Sequence, residues 1–261
     1  VLRQAIITGT ALISVALGPV HAAGSEKPLG VVELFTSQGC SSCPPADAAI
    51  AGLADRKDLI VLSYHVDYWN YLGWADTMSS PENTERQYDY GKAMGRSGVY
   101  TPQAVLNGRV QLVGTDANAL EQKLRSLADK GQGLSVPVSA RMNDEEVDIH
   151  LGDGEGKADV LVVYINAHER IKIERGENAG KVMDYRNIVT DVQTIGMWHG
   201  EASTIALPSH VLEPQNSDGC VILLQSRDQN GNPGAIIGAT MISSPAREKD
   251  NVMNASSVEN Q

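Results

Sequence analysis

Two cysteines with two residues between them, Cys40-Ser41-Ser42-Cys43, stand between an apolar strand-like run, Leu29 to Phe35, and an alanine-rich helical run, Ala46 to Ala54. No other feature restricts the fold as much. Two intervening residues let the sulfurs come close enough to bridge, and a helix start stabilises a thiolate. A dithiol at a strand-to-helix junction is an arrangement that redox chemistry can use. Cys-x-x-Cys is also half of many zinc sites, but the chain has no second such pair and no His-x3-5-His.

Pro44 and Pro45 qualify the junction. A helix starting just after Cys40 would lose two backbone donors in its first turn. A helix starting at Pro44 makes Cys43 the N-cap and puts proline at the favoured first position. Cys40 then lies in the loop, one step from the helix dipole, and the first turn is expected to be irregular.

Residues 1–23 read as a secretory signal peptide: Arg3, an apolar run from Ala5 to Val20, and the small-x-small site Val20-His21-Ala22. Thr8, Thr10, Ser14 and Pro19 interrupt the run, so an uncleaved anchor is the weaker alternative. The expected product is exported, periplasmic or extracellular, and free of the membrane after cleavage. Such a compartment permits disulfides. The formal charge of −11 disfavours nucleic acid and anionic membranes as partners. With one Phe and three Trp, the core must rest on Ile, Val, Leu and Ala.

Strand one is expected over about Gly30 to Thr36, and a second, continuously apolar strand over Leu59 to Tyr64. With the helix between them they make a parallel pair with a right-handed crossover. His65-Val66-Asp67-Tyr68-Trp69-Asn70-Tyr71-Leu72-Gly73-Trp74 follows the second strand and is far richer in aromatics than the rest. It is expected to face the same crevice as the dithiol, at the carboxyl ends of the parallel strands. A helix starts near Ser80-Pro81-Glu82. Thr101-Pro102 then precedes an Asn107-Gly108 hairpin, and Asp116 caps a helix carrying Leu120, Leu124 and Leu127.

Taken together, Cys40-Ser41-Ser42-Cys43, Thr101-Pro102 and the Asn107-Gly108 hairpin resemble the thioredoxin-like superfamily over about residues 29–130. The resemblance implies a cis bond at Pro102 packed against the dithiol, an exposed attacking sulfur at Cys40 and a buried resolving sulfur at Cys43. The family's buried carboxylate would fall on Glu33 after a one-residue shift. The chain departs from the family in Gly39, in Pro44-Pro45 and in the long insert over 65–100. More narrowly, Glu33-Leu34-Phe35-Thr36-Ser37, His65-Val66-Asp67-Tyr68-Trp69 and Tyr100-Thr101-Pro102-Gln103 resemble a family of uncharacterised secreted bacterial proteins.

The second half reads as strands with short turns: 135–142, 146–151, 159–166, 170–174, 181–191, 203–207, 220–226 and 235–242. The expected architecture is an α/β thioredoxin-like domain at 24–132 with a helical insert, then an antiparallel β-sandwich-like domain at 133–244. Residues 245–261 read as a disordered tail.

The candidate residues are Cys40, Cys43 and Pro102, with Thr101, His65, Asp67, Trp69 and Glu33 around the crevice. His65 and Asp67 alternate at a strand end and point the same way, as acid–base or binding groups or as satisfied polar residues. Cys220 opens an apolar strand and reads as a buried, inert thiol. Gly176 to Lys181 is one residue short of a phosphate loop and has Val182 where Ser or Thr is needed, so it reads as a hairpin loop. Trp198-His199 and His168-Glu169 read as surface. No motif asks for a cofactor or a resident metal.

Three functions stay open at this level. One is thiol–disulfide exchange with a disulfide- or thiol-bearing protein or small molecule. Another is a secreted binding module with a structural disulfide. The third is a copper(I) carrier using Cys40, Cys43 and His65.

Overall fold

The computed structural model describes residues 27–143, 145–211 and 217–243. The leader expected at 1–23 and the tail expected at 245–261 lie outside the described residues.

The described residues open with strand β1 (Gly30–Thr36), helix α1 (Pro44–Leu53) and strand β2 (Leu59–His65). The two strands pair in parallel, from Gly30 opposite Leu59 to Thr36 opposite His65. Every residue of both is buried. That is why each is a continuous apolar run rather than an alternating one. Helix α1 starts at Pro44 with Cys43 as its N-cap, so of the two possible starts the one with proline at the first position is realised.

The insert holds a 3₁₀ turn at Asn70–Leu72 and helix α2 (Pro81–Ala93). The Asn83 N–H donates to Ser80 Oγ at 3.1 Å and closes the α2 cap. Strands β3 (Gln103–Leu106) and β4 (Val110–Leu112) form the hairpin. Asn107 and Gly108 take φ of 50° and 62°, the two positive angles a two-residue turn requires. A Cβ on Gly108 would run into the Gly234 carbonyl oxygen. Helix α3 (Ala117–Asp129) is capped by Asp116, whose Oδ1 accepts from the N–H groups of Asn118 and Ala119.

Seven strands follow: β5 (Val138–Met142), β6 (Glu146–Leu151), β7 (Ala158–Lys172), β8 (Val182–Trp198), β9 (Ser203–Pro208), β10 (Gly219–Arg227) and β11 (Pro233–Ser243). The runs expected at 159–166 and 170–174 are one long strand, β7, whose far end alternates in exposure as it leaves the core.

These strands pack in two layers over a core of their own residues, but they are not separate from the first sheet. β7, β8, β10 and β11 continue the first sheet into one mixed sheet of eight strands, in the order β11-β10-β7-β8-β2-β1-β3-β4. Among the described residues, β5, β6 and β9 make a separate antiparallel sheet. The physical reason lies in β2. Buried on both faces, it would otherwise leave an unpaired apolar edge. β8 pairs with it in parallel at Ser63 and Ile188. Ser63 Oγ donates to the Arg186 carbonyl at 2.8 Å, and Asn187 Nδ2 donates to the Val61 carbonyl at 3.0 Å.

One face of the large sheet closes on a core in which Val31, Phe35, Leu62 and Tyr64 meet Leu161, Val163, Val221 and Leu223, with Tyr90 from α2. On the other face α1 and α3 cover β1 and β3 through Leu34, Ala104, Ile50, Leu120 and Leu124. The small sheet covers β7 and β10 through Val147, Ile149, Val160 and Ile222. Each such side chain contributes about 1.5–3 kcal/mol on burial. Trp198 belongs to this last core, not to the surface as expected: it is 1% exposed and its indole N–H donates to the Gly152 carbonyl at 3.1 Å. His168 is exposed, with Nε2 3.0 Å from Asp184 Oδ2. No helix among the described residues is long and apolar enough to cross a membrane.

Candidate functional site

Cys40 and Cys43 form a disulfide, with Cα atoms 5.4 Å apart, between the carboxyl end of β1 and the start of α1. Two tight turns carry the chain there. The Cys40 N–H donates to the Ser37 carbonyl at 3.1 Å, and the Cys43 N–H donates to the Cys40 carbonyl at 3.2 Å. The Thr101–Pro102 bond is cis, as expected, and brings Thr101 to the same place. The Thr101 hydroxyl lies 3.2 Å from Cys40 Sγ and accepts from the Trp69 indole N–H at 2.8 Å. Ser42 Oγ is 3.4 Å from Cys40 Sγ and donates to the Thr101 carbonyl at 3.4 Å. So the dithiol, Thr101 and Trp69 do meet.

One expectation fails. Cys40 is 1% exposed and Cys43 is fully buried, so neither sulfur is open to solvent. The loop before Cys40 is held from two sides. From the insert, Asp76 Oδ2 accepts the Gln38 N–H at 2.7 Å, and Gln38 Oε1 accepts the Trp74 indole N–H at 2.7 Å. From the loop between β7 and β8, buried Asn178 donates through Nδ2 to the carbonyls of Gln38 and Cys40, each at 2.9 Å. The loop read as a plain hairpin connection thus reaches the dithiol.

Beneath this lies a buried polar cluster. His65 Nδ1 is 2.8 Å from Asp76 Oδ2, and the His65 ring meets Tyr185 edge-on with centroids 4.7 Å apart. Asp47 lies one turn beyond Cys43 on α1, so the two share a helix face. Its Oδ1 accepts from the Thr36 hydroxyl at 2.6 Å. Asp47 Oδ2, His65 Nε2 and Tyr185 Oη are buried and make no hydrogen bond among the described residues.

Burial pushes the Asp47 carboxyl up to about 7, against the Thr36 hydrogen bond and the His65 charge. Burial alone would lower the His65 pKa, but the charge and hydrogen bond of Asp76, helped by Asp47, carry it above its ordinary value. Burial raises the Asp76 pKa less than His65 and the N–H groups of Gln38 and Met78 lower it, so its carboxyl stays below the usual range.

The remaining candidates are elsewhere. Asp67 does not join His65: its Oδ1 accepts from the Thr84 hydroxyl at 2.7 Å, tying the start of the insert to α2. Glu33 points into the core on the α2 side, where Oε1 accepts from Arg86 Nε at 2.9 Å and Nη2 at 2.6 Å, and Oε2 accepts from the Tyr90 hydroxyl. The buried carboxylate on the helix that carries Cys43 is Asp47. Cys220 is a free, buried thiol whose pKa burial pushes up to about 12. His65 turns its Nδ1 to Asp76 rather than joining Cys40 and Cys43. No three His, Cys, Asp or Glu side chains among the described residues are grouped to hold a metal. A cleft of about 470 Å³ beside α2 is lined by Arg86, Asp159, Asp191 and Arg227, among others, and neither cysteine lines it.

Sequence reasoning missed Asp47, Asp76, Asn178 and Tyr185. Asp47 alone left a signal, a single charge within an alanine-rich helix face four residues after Cys43.

No match was found among curated proteins. The crystal structure of protein AGR_C_4864 from Agrobacterium tumefaciens is 49% identical to this chain, with a TM-score of 0.77, over 84% of this chain and 95% of that one. HBP35 of Porphyromonas gingivalis is 14% identical, with a TM-score of 0.60, over 84% of this chain and 76% of that one, a likeness of fold alone. A family model described as "Protein of unknown function (DUF1223)" matches residues 31–225, and the chain belongs to that family.

Proposed function

We propose that the chain is an exported thiol–disulfide oxidoreductase working through Cys40 and Cys43 on a thioredoxin-like unit at about 29–130. One observation carries the reading: the disulfide sits where β1 hands over to α1, with the cis Thr101–Pro102 bond beside it and the Thr101 hydroxyl 3.2 Å from Cys40 Sγ. Export is supported by the leader-like pattern at residues 1–23 and suits a chain that keeps a disulfide.

In the oxidising direction, one thiolate of a substrate dithiol attacks Cys40 Sγ. The new sulfur–sulfur bond forms as the Cys40–Cys43 bond breaks, and Cys43 leaves as a thiolate that takes a proton from water. The second substrate thiolate then attacks the substrate sulfur of the mixed disulfide and releases Cys40 as a thiolate. The substrate loses two electrons and two protons, and the protein gains the electrons. The reverse sequence reduces a substrate disulfide. Partners are therefore proteins or small molecules bearing a thiol or a disulfide.

Cys43→Ser tests this. The variant should accumulate mixed disulfides through Cys40, and Cys40→Ser should accumulate few. A Cys43→Ser chain whose reduced Cys40 traps nothing from disulfide-bearing partners contradicts the reading. The burial of both sulfurs favours a second one, a structural disulfide in a secreted binding module. That reading predicts trapping by neither variant.

A further inference from the structure

Asn178 reaches the dithiol from the β7–β8 loop, 138 residues along the chain from Cys40. Its amide is fully used. Nδ2 donates to the carbonyls of Gln38 and Cys40, and Oδ1 accepts from Lys181 Nζ at 2.8 Å. The loop that carries it is closed on itself: the Gly180 N–H donates to the Ile173 carbonyl at 2.8 Å, and the Ile173 N–H to the Lys181 carbonyl at 2.9 Å. Gly176, at φ +77°, packs against Trp74 of the insert so closely that a Cβ there would lie 3.1 Å from Trp74 Cβ. A buried amide with every group satisfied holds one geometry. The two carbonyls it grips belong to the residues on either side of Gly39. The Cys40 carbonyl also accepts the Cys43 N–H, so the oxygen that closes the Cys40–Cys43 turn is itself anchored.

We propose that Asn178 is a positioning residue for disulfide exchange: it pins the backbone on both sides of Gly39, holds Cys40 Sγ under cover beside Thr101, and must release those carbonyls before a thiolate can reach that sulfur. A thiolate must touch the sulfur it attacks, and a cysteine only 1% exposed offers no approach. The inference rests on the redox reading for its biological meaning, but the restraint on access is measurable with any thiol.

The test is the rate at which dithiothreitol reduces the disulfide in the oxidised full chain, wild type against Asn178→Ala. Dithiothreitol supplies both electrons and both protons and ends as its own cyclic disulfide. The rate should rise at least about fivefold, the factor that corresponds to roughly one net hydrogen bond. In the reduced proteins, iodoacetamide should label Cys40 faster in the variant while Cys220 labelling stays unchanged. An unchanged reduction rate overturns the proposal. So does a parallel rise at Cys220, because that reports general loosening. Should Asn178→Ala fail to fold, Lys181→Met keeps both donors and frees only Oδ1. It should give a smaller gain in the same direction, and no gain overturns the proposal. Exchange with protein disulfides is assayed separately: its failure sinks the redox reading and leaves the dithiothreitol result standing.

Discussion

Gly39 is packed against Trp69, so closely that a Cβ at position 39 would lie 3.1 Å from Trp69 Cβ and 3.2 Å from the Trp69 carbonyl oxygen. Trp69 in turn fixes the Thr101 hydroxyl that sits on Cys40. The small residue before the first cysteine is thus what lets the aromatic segment close over the dithiol. Gly39→Val must push Trp69 or the redox loop aside, at a cost of about 1–3 kcal/mol. Its urea midpoint should fall clearly and that of Gly39→Ala less. Equal midpoints for wild type and Gly39→Val would show that the contact is slack.

The Glu33–Arg86 pair gives a second prediction. Glu33 is fully buried and Arg86 nearly so, with side-chain exposures of 0% and 12%. Arg86 also lies 5.1 Å from the Tyr90 ring centroid and donates to Gln225 Oε1 at 2.9 Å. Arg86→Met leaves a buried carboxylate without its cation and should cost about 3–5 kcal/mol. The double variant Glu33→Leu with Arg86→Met should be more stable than Arg86→Met alone, because the two effects are not additive. Denaturant titration of Arg86→Met, Glu33→Leu and the double variant measures this directly, and simple additivity would contradict it.

The Asp47 carboxyl gives a pH dependence with a definite sign. Its pKa is about 7 in the fold and 3.8 ordinarily. Between these values the folded chain holds a proton that the unfolded chain has released. Stability therefore falls as pH rises from about 4 to about 7, by at most about 4 kcal/mol. His65, raised by Asp76, adds stability below its unfolded pKa that is also lost as pH rises through its folded one. Asp76 acts oppositely, and its contribution is lost only as pH falls through its depressed value. Asp47→Asn keeps the oxygen that accepts from Thr36 and should flatten the decline. Urea midpoints across that interval are the measurement. An undiminished slope in the variant would place its source elsewhere.

What could be read from the sequence was what depends on neighbours in the chain. The start at Pro44 follows from proline's missing N–H, and the Asn107-Gly108 turn from its two positive φ angles. The cis bond at Pro102 came through a family resemblance rather than from local physics. What could not be read depends on partners far away. Ser63 does not reveal that Ile188 pairs beside it, so in the sequence the joined sheet reads as two separate units. Cys40, in a glycine-flanked loop, gives no hint that Asn178, Asp76 and Trp69 converge on that loop. By position Glu33 reads as the buried carboxylate under the dithiol, whereas the face of β1 on which it lies belongs to Arg86.

The central claim is that Cys40 and Cys43 exchange electrons with a partner rather than merely staple the loop. The midpoint potential of the pair decides this most directly, measured by equilibrating the full chain in glutathione buffers of graded ratio and counting free thiols at Cys40 and Cys43. Structural disulfides lie below about −300 mV and exchanging pairs above it. The account predicts a potential above that boundary. A potential below it would contradict the account and leave the disulfide a structural one.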